Sequence, residues 1–168
     1  MFALGIDPGV SRCGYGLVAR DASGYHPVVA GVITTPPADP LPGRLATILR
    51  ELTELIAEHR PEVVVVERVF FQTNVRTAMS VGQASGLALA AAATAGCEIV
   101  QYTANEVKAS VAGYGAASKE QMQRMVQALL SLPTLPKPPD VADALALALC
   151  HLAVAPRLAR IAKAGGAR

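Results

Sequence analysis

The stretch "EVVVVE", Glu62 to Glu67, limits the fold more than any other part of the 168-residue chain. Four consecutive valines favour extended backbone, because branching at Cβ leaves few rotamers in a helix. Successive side chains of a strand point to opposite faces, so an unbroken apolar run demands cover on both. Such a strand belongs inside a sheet with helices above and below. The neighbouring segments supply them. From Arg44 to Arg60, the positions Leu45, Ile48, Leu49, Leu52, Leu55 and Ile56 recur at helical spacing. Asn74 is placed to cap a helix reaching about Ala95, with Gly96 as its stop signal. "CEIVQY" reads as a second buried strand. Thr103 and Ser118 are N-caps for two further helices, and Glu106 completes a capping box with Thr103. A last helix is predicted from Asp140 to about Val154.

Upstream of the valines, "FALGID" reads as a strand running into a Pro-Gly turn. "GYGLVAR" and "HPVVAGVITT" continue as strands, with "DASG" as the hairpin turn between them. The proline-rich stretches "PPADPLPG" and "SLPTLPKPP" are loops. Three antiparallel strands followed by helix–strand alternation predict an α/β fold: a mixed five-stranded sheet, antiparallel and then parallel, flanked by helices. One domain is expected over residues 1–156, followed by a basic tail over residues 157–168.

Hydrophobic residues make up 52% of the chain, which argues against disorder. Cys13, Cys97 and Cys150 lack metal-ligand spacing and read as free thiols of a reducing compartment. The opening "MFALGIDPGV" has no basic stretch and reaches Asp7 too early for a secretory signal. The apolar run "GLALAAAATAGCEIV" is short and alanine-rich, which suits a packed helix rather than a membrane span. A cytoplasmic protein with no membrane partner is therefore expected. The formal charge is only +2, but from Ala144 onward the chain carries Arg157, Arg160, Lys163 and Arg168 and no acid. That basic tail suits nucleic acid, and a solvated terminus accounts for it equally well.

Four carboxylates mark the ends of apolar elements. Asp7 ends the first strand, Glu67 ends the valine strand, and Asp140 and Asp143 open the last helix. Acids at the margin of a dry core are costly unless neutralised, and several together raise one another's pKa. Mg²⁺ removes both penalties, since it prefers carboxylate oxygens and leaves room for waters and phosphate. Two such ions can flank a scissile phosphate, one activating the attacking water and one stabilising the leaving oxygen. Each acid taken singly has an ordinary alternative. Asp140 can be an N-cap, Glu67 can pair with Arg68, and Asp7 can shape a turn. Asp143 has the weakest alternative, because attraction to the helix dipole offers it only about 0.3–1 kcal/mol.

The segments "GIDPGVSRCGYG", "VVVERVFFQTNVRTAMSVGQASG", "YTANEVKASVAGYGAASKEQMQRMV" and "PPDVADALALALCH" together resemble the successive motifs of RuvC, the bacterial Holliday junction resolvase family, over nearly all of residues 1–155. The resemblance implies an RNase H-like fold and a crossover junction endodeoxyribonuclease activity that makes paired symmetric nicks in a four-way DNA junction. It implies Asp7, Glu67, Asp140 and Asp143 as catalytic and metal-holding residues, with Mg²⁺ as cofactor, Mn²⁺ as a substitute, and two ions per site. It implies DNA contacts from Phe70, Lys108 and Lys119, a homodimer, and the branch-migration partners RuvA and RuvB. Read from the residues alone, the two lysines are equally ordinary solvated helix charges, and of Phe70 and Phe71 one is expected exposed and one packed. The small residues of "NVRTAMSVGQASGLALAAAATAG" suit a helix that meets its equivalent across a two-fold axis, or one packed on its own sheet. The family usually carries Thr where this chain has Cys13.

A phosphotransferase of the actin and sugar-kinase type also begins with a strand ending in Asp and Gly, but needs a second phosphate loop and a second lobe. A related RNase H-like nuclease acting on RNA or on another branched DNA shares the same metal chemistry. A DNA-binding module without catalysis is disfavoured by four intact acids.

Overall fold

The computed structural model describes the backbone of residues 1–68 and 75–165 and the side chains of residues 1–68 and 78–156. Strands β1 (Phe2–Asp7), β2 (Arg12–Asp21), β3 (Gly24–Thr34), β4 (Val63–Glu67) and β5 (Glu98–Tyr102) form one sheet in the order β3-β2-β1-β4-β5. The pairs β1–β2 and β2–β3 are antiparallel, while β1–β4 and β4–β5 are parallel. The helices are α1 (Leu41–His59), α2 (Val75–Thr94), α3 (Ala104–Ala112), α4 (Lys119–Leu129) and α5 (Pro139–Gly165). This is the mixed, helix-flanked sheet expected from the valine run.

Val63 to Val66 are at most 2% exposed, and burying each such side chain contributes roughly 1.5–3 kcal/mol. Strand alternation divides the valines between two cores. Ala3, Val18, Val63 and Val65 face α3, α4 and α5. Leu4, Ile6, Leu17, Val64 and Val66 face Ile48, Leu52 and Ile56 of α1 and Ala84, Ala88, Ala91 and Ala92 of α2.

Helix α5 lies closest to the sheet. A Cβ at Gly5 would run into the carbonyl of Ala144, and one at Gly14 into the carbonyl of Asp140. A Cβ at Gly16 would stand 2.7 Å from the Leu145 side chain. Residues without side chains on β1 and β2 thus let the backbone of α5 rest directly on the strands. From Pro139 to Pro156 this helix is long and apolar enough to cross a membrane by composition. Here that apolarity is spent inside the domain, where Leu145, Leu149 and Leu152 are almost fully buried.

The local signals behaved as their chemistry requires. Thr103 and Ser118 both cap their helices, with reciprocal capping boxes to Glu106 and Gln121. Gly96 adopts φ +74 at the end of α2. The "DASG" turn joins β2 to β3, and the Asp21 carboxylate accepts hydrogen bonds from the backbone N–H (2.7 Å) and hydroxyl (2.6 Å) of Ser23.

Four boundaries differ from expectation. Helix α1 begins at Leu41 rather than Arg44, with Pro42 in its first turn, where a missing N–H costs nothing. Strand β5 is half-exposed rather than buried, because it is the edge of the sheet. Helix α5 runs past Val154 and through Pro156 to Gly165. It also opens at Pro139, so Asp140 lies within the first turn instead of capping it. Asn74, Phe70, Phe71 and Arg168 lie outside the described residues, as do the side chains of Arg157, Arg160 and Lys163.

Candidate active site

Strands β1 and β4 run parallel with Ile6 opposite Val66, so the next residues, Asp7 and Glu67, leave the sheet side by side. Ile6 and Val66 point into the α1/α2 core. Alternation therefore turns Asp7 and Glu67 to the other face, toward α5. Helix α5 is seated over Gly14, which pairs with Asp7 across β1 and β2. Its first turns bring Asp140 and Asp143 to the same sheet end.

There a cleft of about 280 Å³ opens, lined by Asp7, Glu67, Asp143, Lys108 and Lys119. Its apolar wall includes Val107, Met122 and Leu147. Three of the four expected acids and both expected lysines thus meet in one place. Asp140 stands beside the cleft but is turned onto Arg12, whose Nε and Nη2 donate to its Oδ2 at 3.0 and 2.7 Å. Lys119 Nζ lies 3.6 Å from Asp143 Oδ2.

The ordinary alternatives for Glu67 and Asp140 do not hold. Arg68 does not pair with Glu67, since its guanidinium donates to the Gln101 carbonyl at 3.4 Å. Asp140 is not the helix cap. Asp7 closes its strand and faces the cleft.

The electrostatics show how crowded the site is. Burial, then the charges of Asp143, Glu67 and Asp140, push the Asp7 carboxyl up to about 7, with Lys119 opposing. Burial and Asp143 raise Glu67. Burial also raises Asp143, against the pull of Lys119. Asp140 moves the other way: burial would raise it, but the hydrogen bonds from Arg12 and from its own backbone N–H outweigh that and lower it. Cys13 is fully buried and its thiol is pushed to about 12 by burial, so it packs as a neutral side chain.

The donor set fits a hard divalent cation. It is all oxygen, and it carries excess negative charge in a partly dry cleft that Lys119 and Arg12 offset only in part. Among the described residues, no three Asp, Glu, His or Cys side chains stand close enough together to hold an ion as placed. Two of the acids are engaged by cations instead. Asp140 is engaged by Arg12, and Asp143 by Lys119.

Comparison with known proteins gives the family and the fold. The model of the crossover junction endodeoxyribonuclease RuvC family matches residues 3–151. The crossover junction endodeoxyribonuclease RuvC of Moorella thermoacetica is 51% identical over 156 residues, covering 93% of each chain. The chain belongs to the RuvC family. The structure of Thermus thermophilus RuvC in complex with a Holliday junction superposes with a TM-score of 0.87 at 38% identity, covering 92% of this chain and 94% of that one. The yeast mitochondrial Holliday junction resolvase shares the fold at a TM-score of 0.68 and 14% identity, covering 94% of this chain and 82% of that one. The sheet order and helix placement are those of an RNase H-like resolvase fold.

Two features of the site were not anticipated from sequence. One is Arg12, which binds an acid 128 positions away. The other is the glycine seat under α5. The glycines of "GIDPGVSRCGYG" were in plain view, but only their partner across the chain gives them meaning.

Proposed function

We propose that the chain is a Holliday junction resolvase that cuts two strands of like polarity at a four-way DNA junction by Mg²⁺-assisted phosphodiester hydrolysis. The observation that carries this reading is the convergence of Asp7, Glu67 and Asp143 in one cleft of a RuvC-family fold. Asp7, Glu67 and Asp143 would hold the cations, and Asp140 would complete the set on leaving Arg12. When bound, Mg²⁺ supplies Lewis-acid polarisation of the scissile phosphate and makes water nucleophilic near neutral pH. Mn²⁺ has the same ligand preferences and is expected to substitute.

The chain's own residues do the rest. Lys108 and Lys119 line the cleft and offset the charge of the acids until a phosphate arrives, then meet the DNA backbone. The apolar wall excludes bulk water and strengthens every charge interaction inside. With four of the 13 acids neutralised in the site, nine face 15 bases, so the small formal charge does not oppose DNA binding. Phe70 follows Glu67 closely in sequence and is assigned to stacking on or wedging beside a junction base.

A four-way junction with two-fold symmetry calls for two equivalent cutters. Helix α2 supports a homodimer. Its inner face is buried on the sheet, while Met79 is 61% exposed and Gly82, Gly86, Ala90 and Ala93 lie open on the outside. The domain is assigned residues 1–156 and the basic tail residues 157–168, although the backbone of α5 continues across that boundary to Gly165; Arg157, Arg160, Lys163 and Arg168 of the tail are assigned to DNA. Action in the cytoplasm with the branch-migration proteins RuvA and RuvB completes the reading.

The test is direct. The protein is incubated with Mg²⁺ and either a synthetic four-way junction or a matched linear duplex, and the nicks are mapped. Paired symmetric nicks confined to the junction are expected. Equal cutting of the duplex, or cutting of structured RNA in preference to the junction, would refute the assignment.

A further inference from the structure

We propose that Arg12 is an internal counter-cation that holds Asp140 out of the metal set in the DNA-free protein, and so makes cation uptake compete with an ion pair. The inference rests on the divalent-metal reading of the acid cleft given above. Its basis is geometric. Arg12 presents two donors, Nε and Nη2, to a single oxygen of Asp140 at 3.0 and 2.7 Å. Charge-assisted contacts of that kind are the strong ones among hydrogen bonds. Asp140 is the only one of the four acids that does not line the cleft. It is also the one engaged by two hydrogen bonds from a cation.

The backbone under Arg12 is fixed. Arg12 opens β2, pairs with Thr34 of β3, and follows Ser11, whose hydroxyl accepts a hydrogen bond from Arg44 Nη2 at 2.6 Å. Release of Asp140 therefore needs only rotation of the Arg12 side chain, which is 48% exposed and free to swing into solvent. Lys119 differs. It already lines the cleft, touches Asp143 at a longer 3.6 Å, and is 80% exposed. A point charge at that distance can stay near a metal-bound site, whereas a guanidinium fork on the ligand oxygen itself cannot.

The replacement partner for Arg12 is a phosphodiester oxygen, for which its planar fork is equally suited. Strand entry frees Asp140, and a cation bound by Asp140 frees Arg12. The two events favour each other, and by linkage each strengthens the other by the same factor. Arg12 is in this account a positioning residue, acting on the reaction through Asp140.

The experiment uses the full chain without DNA and titrates it with Mn²⁺, following the free ion by electron paramagnetic resonance. Arg12→Ala should bind Mn²⁺ about two- to fivefold more tightly than wild type, the range expected when a half-exposed ion pair no longer competes. Arg12→Lys keeps the charge without the fork and should fall between the two. The Mg²⁺ concentration that half-saturates junction nicking should drop in the same order. Binding by Arg12→Ala that equals or falls below wild type overturns the inference. Asp7→Asn separates the two levels of the argument. If Mn²⁺ binding is lost in Asp7→Asn but indifferent to Arg12, the cleft is a metal site and only the role of Arg12 is wrong. If neither wild type nor Arg12→Ala takes up Mn²⁺ in the millimolar range, the metal reading fails with it.

Discussion

On its α1/α2 face the sheet presents Leu4, Ile6, Leu17, Val64 and Val66, and the helices answer with Ile48, Leu52, Ile56 and a row of alanines. On its α5 face, at β1 and β2, it presents Gly5, Gly14 and Gly16, with Asp7 and Glu67 at the strand ends. The first face interleaves side chains and gains stability from the area removed from water. The second gives up side-chain volume so that a helix backbone can approach the strands. What it gains is the placement of charge, and it bears the cost of crowding acids. The contrast teaches that one side of the sheet serves stability alone, while the other carries a core of its own and the placement of charge as well.

The largest effect should come from the chemical side. Asp7→Asn should lower junction nicking by roughly a thousandfold or more, the scale of an interaction that acts on the reacting phosphate. The same variant should melt at a higher temperature than wild type in EDTA, because it deletes a carboxylate that its surroundings disfavour as an anion. Nicking assays and thermal melts on one preparation would check both halves, and a fall in melting temperature would break the comparison. On the other face, Leu52→Ala should cost about 2–5 kcal/mol of stability through lost burial and a cavity. Nicking per folded molecule should be unchanged at a temperature where the variant is folded. Gly14→Ala sharpens the contrast. Its Cβ meets the Asp140 carbonyl, so it should cost about 1–3 kcal/mol by overpacking and, unlike Leu52→Ala, also slow nicking per folded molecule.

A smaller effect concerns pH. His151 is 3% exposed on α5, with its Nδ1 3.0 Å from the Tyr102 hydroxyl. Burial lowers its pKa below the ordinary 6.5, with Glu98 opposing. The folded protein therefore binds this proton less readily than the unfolded chain. The stabilisation is complete above pH 6.5 and is lost as pH falls through the folded-state value. Melting temperature should decline on acidification in wild type and decline less in His151→Phe. The smallest effect is on binding: Lys108→Ala or Lys119→Ala should each reduce the log–log salt slope of junction affinity by about one. An unchanged slope would remove that lysine from the DNA interface.

The parts of the fold that could be read from sequence were those decided locally. Four adjacent valines demand cover on both faces wherever they occur. The Thr103 and Ser118 caps depend on residues three positions away. The positions of Asp7, Glu67 and Asp143 were legible because each sits where an apolar element stops or starts. What was not legible depends on distant partners. Asp140 reads from sequence as a metal-holding acid or as a cap, and neither reading contains its bond to Arg12 across 128 positions. Strand β5 looked buried because its sequence does not say that nothing lies beyond it in the sheet. Pro42 looked like loop although the first turn of a helix tolerates it.

The glycines under α5 have a genetic consequence. Substitutions at positions 5, 14 and 16 would score as active-site alleles although none of these residues carries a group that could touch DNA. A suppressor of a change at position 16 would map to the facing helix rather than to the cleft. The Gly16 site offers the simplest case, since the two atoms nearest a Cβ there belong to the Leu145 side chain, at 2.7 and 2.8 Å, with the Leu145 backbone nitrogen behind them at 3.0 Å. A shortened side chain at 145 would make room for a methyl group at 16, whereas at Gly5 and Gly14, where the obstacle is backbone, no single compensating substitution exists.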